Sequence, residues 1–258
     1  MGHTGTLDPL ATGCMLVAVG NYTKLIPYFE KDTKTYEFDI MIDWVTDSFD
    51  LAEEVQYISD EKKQELKSSL DQSKIQAIID QNFTGKITQV PPKYSALKID
   101  GKRAYELARA WAEVEMKTRE VEIKSIEILY FDYPKLTLSA TVSAGTYIRS
   151  IAADLGDIIW SGWYISRLRR TQIWELTSPP IPLLTGEGSY ISLAIKDIFS
   201  NIATITLPDD ILTDINHGKL VYGDFDYPRD QDLFVIIDAQ VSNIVSYNGE
   251  YIKPIRKI

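Results

Sequence analysis

One carboxylate, Asp8, lies near the start of the chain in a stretch that otherwise contains glycines, small hydroxyl residues and a proline, GHTGTLDPLATG (2–13). No second acid and no set of metal ligands accompanies it in this stretch. An aspartate without an acidic neighbour stays ionised at neutral pH and can act as a nucleophile. An Asp before a Pro in a Gly-rich turn is also commonly structural and caps the turn through its side chain. The stretch alone leaves both interpretations open.

A second candidate group is Arg149, in the segment GTYIRSIAADLGDII (145–159). Thr146 predicts a helix cap, and apolar residues then follow the three- and four-residue spacing of a core-facing stripe. Arg149 lies off that stripe. It therefore either faces a cleft beside the helix start or points to solvent, and the pattern alone does not decide between these.

The elements around these residues follow from periodicity. Alternating apolar residues predict strands at 34–43, 120–131 and 135–144, the last two joined through Asp132–Tyr133–Pro134. A polar amphipathic helix is predicted over 60–81. Proline and glycine concentrate at 178–189, which predicts a domain boundary, and short strand-like runs beyond it indicate a small β-rich module.

Composition limits the class of protein. The chain has 258 residues and a net charge of −10, which argues against indiscriminate nucleic-acid binding. Basic residues nevertheless concentrate in KIDGKRAYELAR (98–109) and SRLRRT (166–171), which either bind a folded RNA or lie on solvated faces. A single cysteine, Cys14, and the absence of a long apolar run predict a reducing cytoplasm and no membrane role.

The stretch around Asp8 resembles the signature of the bacterial tRNA pseudouridine-55 synthases, the TruB family. Four further blocks resemble that family in the same order: KTYEFDI, VPPKYSALKIDGKRAYELARA, SAGTYIRSIAADLG and ISRLRRTQ. The resemblance covers about residues 1–176. The C-terminal part, with INHGKLV and YNGEYIKPIRKI, more weakly resembles the PUA-type RNA-binding module of the family.

The resemblance implies an α+β fold. We expect a pseudouridine synthase domain over 1–178, with a mixed, mainly antiparallel sheet, flanking helices and an insertion that clasps RNA. A PUA-like RNA-binding module over 179–258 should follow. The implied partner is the T-arm stem-loop of tRNA, bound by a monomer, and no cofactor or metal is expected.

The family motifs also imply site residues. Asp8 matches the catalytic aspartate, and Arg149 matches the arginine that pairs with it. Substrate-binding roles fall on residues around the extruded nucleotide: His3, Tyr36, Tyr147 and Leu168. Phosphate contacts are implied for basic residues of the insertion and its helix: Lys98, Lys102, Arg103 and Arg109.

The chemistry implied is the isomerisation of uridine to its C-glycoside in a folded loop. The N1–C1′ bond breaks, the base rotates, and C1′ is rejoined to C5. The reaction is redox-neutral, and the enzyme must first extrude the nucleotide from the loop. A rigid turn around Asp8 then serves to position the nucleophile.

Two departures from the family pattern stand out. Family members carry several tens of residues before the Asp8 loop, so we expect this chain to be truncated at its N-terminus. All five tryptophans stand where glycine or another small residue is expected: Trp44, Trp111, Trp160, Trp163 and Trp174. We hypothesise that their codons are UGA, read as glycine in the source organism. UGG codons at these positions would exclude this explanation.

Two other functions compete with uridine isomerisation. An RNA-binding protein that folds tRNA without turnover would carry the same basic segments. GTLDP also resembles the GTFDP loop of HxGH-type nucleotidyltransferases, but those need a His-x-Gly-His cluster. The chain has only His3 and His217, and neither lies in such a cluster.

Overall fold

The computed structural model describes residues 1–29, 33–45, 56–92, 95, 97–99, 102–104, 116–174, 176–177, 203–237 and 240–258. The chain divides into two compact units. The first contains Met1–Ala18 and Leu25–Pro182, and the second contains Val19–Lys24 and Leu183–Ile258. The predicted boundary between 178 and 179 lies outside the described residues and stays a prediction.

The strands and helices of the first unit follow one another along the chain. They are β1 (Gly2–His3), β2 (Ala11–Gly13), β3 (Val17–Ala18), a 3₁₀ helix (Gly20–Leu25) that begins in the second unit, α1 (Ile26–Phe29), β4 (Lys34–Met41), β5 (Trp44–Val45), β6 (Gln56–Tyr57), α2 (Asp60–Ser69), α3 (Gln72–Asn82), β7 (Gly85–Gln89), β8 (Lys98–Ile99), β9 (Lys102–Arg103), β10 (Arg119–Asp132), β11 (Lys135–Val142), α4 (Ile148–Ile158), β12 (Tyr164–Ile173) and β13 (Leu176–Thr177).

A mixed sheet forms the centre of this unit. Its strands lie in the order β13, β12, β4, β11, β10, β7, and β2 pairs with β12 in parallel while the other pairs are antiparallel. One face of the sheet buries alternate residues of β4 and β11 against α3 and α4, including Phe38, Leu138, Ile79 and Ile151. Burying each such side chain contributes about 1.5–3 kcal/mol, which holds both helices on the sheet. The predicted α+β fold and mainly antiparallel sheet are confirmed.

Two local predictions in this unit are wrong. The single helix expected over 60–81 is two helices, because Leu70 is extended and Asp71 starts α3 by accepting a hydrogen bond from the Lys74 amide. Thr146 does not cap α4. Its hydroxyl donates to the Ser143 carbonyl at 2.9 Å, and the residue at the cap position is Tyr147.

The second unit is a small β-rich module, as predicted. Its elements are β14 (Thr204–Ile205), α5 (Asp209–Asn216), β15 (Val221–Tyr222), β16 (Asp232–Ile237), β17 (Gln240–Tyr247) and β18 (Tyr251–Lys257). The strands form one sheet in the order β14, β16, β17, β18, β15. Its core contains Leu233, Val245, Tyr247 and Ile215 of α5. None of the helices in the described part of the chain is long and apolar enough to cross a membrane.

Two of the tryptophans have a backbone conformation that favours glycine. The φ angles of Trp160 and Trp174 are +52° and +53°, in the left-handed region that side chains with a Cβ atom adopt at a cost. Trp163 differs, because it is buried in the core with its ring against Gly156. The geometry at 160 and 174 is that expected of a glycine site. The five codons remain a prediction.

Replacing Trp160 by Gly should therefore stabilise the first unit. Trp160 is 82% exposed, so little apolar burial is lost. Relief of the left-handed conformation, offset by the entropy of glycine in the unfolded chain, should raise the free energy of unfolding by about 0.5–1 kcal/mol. Trp163→Gly is the matched control and should lower the free energy of unfolding by about 3–5 kcal/mol, since it empties a core site. Urea denaturation measures both. A loss of stability in Trp160→Gly would contradict the assignment.

Candidate active site

Asp8 occupies the first position of a tight turn. Its carbonyl accepts a hydrogen bond from the Ala11 amide at 2.9 Å, with Pro9 at the second position, where a fixed φ favours the turn. The turn is thus closed by the main chain of Asp8. The side chain of Asp8 does not take part in closing the turn.

The Asp8 carboxylate binds Arg149 through both oxygens. Nε of Arg149 donates to Oδ2 and Nη2 donates to Oδ1, each at 2.9 Å. The Arg149 side chain is 4% exposed, while that of Asp8 is 27% exposed. The paired, planar geometry fixes the carboxylate in orientation. Because Asp8 keeps partial exposure, a reactant can reach it.

The start of α4 is held in place by the end of β7. The Gln89 side chain accepts from the Tyr147 amide at 2.8 Å and donates to the Tyr147 carbonyl at 3.0 Å. The Ser150 hydroxyl donates to the Val90 carbonyl at 2.7 Å. These bonds flank Arg149 on both sides in sequence. They fix the main chain on both sides of Arg149 and thereby the position of the guanidinium that binds Asp8.

Arg170 fixes the loop that carries Asp8, and sequence reasoning missed this role. It is 1% exposed. Its Nε donates to the Cys14 carbonyl at 2.8 Å and its Nη2 donates to the Gly5 carbonyl at 3.1 Å, so one side chain holds both ends of the loop. The basic run SRLRRT was predicted either to bind RNA or to lie on a solvated face. Strand periodicity in that run was the available signal, since Leu168 and Arg170 are two residues apart on β12.

The same loop closes against β12 at a position that requires glycine. Gly13 has a φ of +103°, and a Cβ atom there would lie 2.0 Å from the carbonyl oxygen of Arg170. No side chain fits at that distance. The glycine that ends the Asp8 motif therefore permits the close approach of β2 to β12.

The remaining predicted substrate residues differ in their surroundings. Tyr36 is buried, which raises the pKa of its phenol. The charge of Arg170 and a hydrogen bond from it oppose this increase, and the nearby charge of Asp8 adds to it. Leu168 lies in the hydrophobic core of the sheet. His3 is exposed, and its Nδ1 accepts from the Gly5 amide at 3.3 Å. The structure thus brings Tyr36 near Asp8 and Arg170.

The predicted phosphate contacts belong to a segment that is largely outside the described part of the chain. The side chains of Lys98, Lys102 and Arg103, and the whole of Arg109, lie outside the described residues, as does most of the predicted RNA-clasping insertion. Within the described ranges, no group of three or more His, Cys, Asp or Glu residues could hold a metal ion.

Comparisons with known proteins agree with the motif blocks. The family profile described as TruB family pseudouridylate synthase (N terminal domain) matches residues 1–148. The tRNA pseudouridine synthase B of Parabacteroides distasonis is 41% identical over 179 residues, which cover 69% of this chain and 72% of that protein. Its counterpart in Geobacter sulfurreducens is 41% identical over 169 residues, 66% of this chain and 53% of that protein. The Brucella canis protein of the same name is 36% identical over 220 residues, 80% of this chain and 65% of that protein.

Solved structures with the same fold cover the whole chain. One is a chain of a Cbf5–Nop10–Gar1 complex, with a TM-score of 0.60 and 19% identity over 100% of this chain and 75% of that chain. Another is a chain of an H/ACA RNP bound to a substrate RNA containing 2′-deoxyuridine, with a TM-score of 0.60 and 15% identity. At these identities the likeness establishes the fold.

Proposed function

The chain belongs to the TruB family of pseudouridylate synthases, and on that premise we propose that it converts uridine to pseudouridine in the T-loop of tRNA, at position 55. The relatives at about 40% identity carry the name tRNA pseudouridine synthase B. The coarse activity follows from the family. The position in the RNA and the roles of individual residues are the further content of the proposal.

The observation that carries the proposal is the two-point pairing of Asp8 with Arg149. An isomerisation that exchanges an N-glycosidic for a C-glycosidic bond needs one anionic nucleophile, held at a fixed place and direction. Asp8 attacks the extruded nucleoside and forms a bond to it, the N1–C1′ bond breaks, and a C1′–C5 bond forms after the base has rotated; the bond to Asp8 is broken again, which regenerates the carboxylate. The proton on C5 is released and N1 gains one, so atoms and electrons balance without a cofactor.

We assign the binding of the extruded nucleotide to residues around Asp8. We assign Tyr36 to stacking on the base, Leu168 to an apolar wall of the pocket, and Tyr147 to the active site beside Arg149. His3 is assigned a place near the extruded nucleotide. A uridine in a folded loop must leave its stack to reach these groups, which costs a few kcal/mol. Recognition should therefore depend on loop shape and phosphates more than on sequence.

The wider RNA contacts complete the proposal. Lys98, Lys102, Arg103 and Arg109 would contact phosphates of the T-arm, and the β-rich second unit would act as a PUA-like RNA-binding module. The protein would act as a monomer in the cytoplasm. Support for these assignments comes from the family motifs and from the basic residues of 98–109.

A tritium-release assay tests the function. A tRNA transcript with tritium at C5 of its uridines should release label equivalent to one uridine per molecule. A T-arm stem-loop alone should behave in the same way. The matched control transcript carries cytidine at the target position and should release none. Tight binding of the tRNA without release of label would instead support a protein that binds or folds RNA without turnover.

A further inference from the structure

Arg119, the first residue of β10, carries a positive charge that nothing in the described part of the chain balances. Its Nε and Nη2 are shielded from solvent and have no hydrogen-bond partner. None of the ion pairs among the described residues includes it. Burial lowers the pKa of the Arg119 guanidinium, opposed by Tyr147.

Such an arrangement is costly. A buried donor left without an acceptor costs about 1–3 kcal/mol, and more when the group is charged. Native proteins leave few such groups, so each one calls for a partner that the described residues of the free protein do not supply. For a guanidinium in a poorly solvated place, an anion with several acceptor oxygens is the best match.

The position of Arg119 links this charge to the active site. Its guanidinium carbon lies 4.4 Å from the centre of the Tyr147 ring. Arg119 is also the strand neighbour of Gln89, whose side chain holds the main chain of Tyr147. Arg149, the partner of Asp8, follows two residues after Tyr147. The Tyr147 ring therefore connects Arg119 to the start of α4, the helix that carries Arg149 and so orients Asp8.

One edge of the guanidinium remains open. Nη1 is not among the shielded atoms. Gly145 lies beside this atom, since an added Cβ atom there would lie 3.4 Å from Nη1. Because Gly145 has no side chain, it leaves room beside Nη1 for a group that approaches the helix start.

We propose that Arg119 binds a backbone phosphate of the RNA next to the extruded uridine, through its open edge at Nη1, while its face stays stacked on Tyr147. This inference rests on the proposed function, because the anion is the substrate's own phosphate. The contact would hold the strand at the point where the nucleotide leaves its stack. Arg149 is not available for the same task, since its charge is neutralised by Asp8.

Salt-dependent binding tests the contact. In an Asp8→Asn background, which prevents conversion of the RNA, Arg119→Met should weaken T-arm binding about tenfold and reduce the slope of log affinity against log salt by about 1. Arg119→Lys keeps the charge, and its affinity for the T-arm should stay within about threefold of that of the parent.

In the chain with Asp8 intact, Arg119→Met should raise KM and change kcat less than about threefold. Arg167→Met is the matched control, because this arginine pairs with Asp39 on the opposite face of the sheet; it should leave the slope unchanged.

A coupling experiment identifies the phosphate. Uncharged methylphosphonates replace, one at a time, the phosphates around the target uridine. One replacement should weaken binding to the parent chain about tenfold but should have no further effect in Arg119→Met. If Arg119→Met does not fold, Arg119→Gln takes its place in the cycle.

Unchanged T-arm affinity and salt slope in Arg119→Met, with a fall in kcat alone, would overturn the proposal. Arg119 would then be a residue that supports the Tyr147 ring. Absence of tritium release from the parent chain would refute the proposed function, whatever the Arg119 variants do.

Discussion

Asp8→Asn is expected to abolish the release of tritium from tRNA, with a loss of at least about 10⁴-fold in turnover, since a carboxamide cannot replace an anionic nucleophile. Binding of tRNA should stay within about threefold, because the RNA is held mainly through its phosphates. Single-turnover tritium release and filter binding measure the two quantities on the same preparation. Asparagine has the size and shape of aspartate, so the turn that it starts should be retained.

A matched control separates chemistry from the loss of an ion pair. Asp39 is also bound by an arginine through both oxygens, at 3.0 and 3.3 Å from Arg167, and it receives further bonds from Lys135 and Thr137. Burial alone would raise the pKa of Asp39, but the hydrogen bonds from Arg167, Lys135 and Thr137 lower it overall.

Asp39 points away from the face that holds Tyr36, because it follows three residues later on the same strand. Asp39→Asn should thus lower thermal stability while its turnover stays close to that of the parent chain. Equal losses of activity in Asp8→Asn and Asp39→Asn, or turnover in Asp8→Asn within tenfold of the parent, would contradict the role of Asp8.

Arg149→Met should reduce turnover about 10³-fold with a small change in tRNA affinity. The substitution keeps much of the buried apolar volume but removes both hydrogen bonds to Asp8, and a catalytic group that loses its orienting donors typically loses a factor of this size. Arg149→Lys should recover part of the loss, because it restores a charge without the planar, two-point geometry. Single-turnover rates at saturating RNA measure the effect.

The loss of turnover should be specific to Arg149 and should not follow from removing Arg167, another arginine of the same unit. Arg167→Met removes an arginine from the equivalent pair with Asp39, and its turnover should be close to that of the parent chain. Near-normal turnover in Arg149→Met would show that Asp8 does not need its partner. A collapse of tRNA binding in Arg149→Met, with turnover of the bound fraction intact, would move the role of Arg149 from orientation of Asp8 to RNA binding.

Local pattern was sufficient for a large part of this protein. Alternation of apolar residues predicted β4, β10 and β11, because a strand half-buried on one face exposes every second residue. Pro134 marked the turn between β10 and β11. The motif around Asp8 and the block around Arg149 are short, contiguous segments, and their resemblance to the TruB family led to the prediction that these two residues carry the chemistry, which stays a prediction.

The resemblance to the TruB family implied that Asp8 pairs with Arg149, but the two-point geometry of the pair came only from the tertiary structure. Asp8 and Arg149 are 141 residues apart, and no periodicity relates positions at that separation. Arg170 and Arg119 are likewise defined by what they meet: two loop carbonyls in one case, and a tyrosine ring with no counter-charge among the described residues in the other. The residue type of a basic residue in a strand does not show whether its side chain faces water, a carbonyl or an RNA phosphate. Which of these surrounds it is decided by long-range packing, and the free energy of the site depends on that choice.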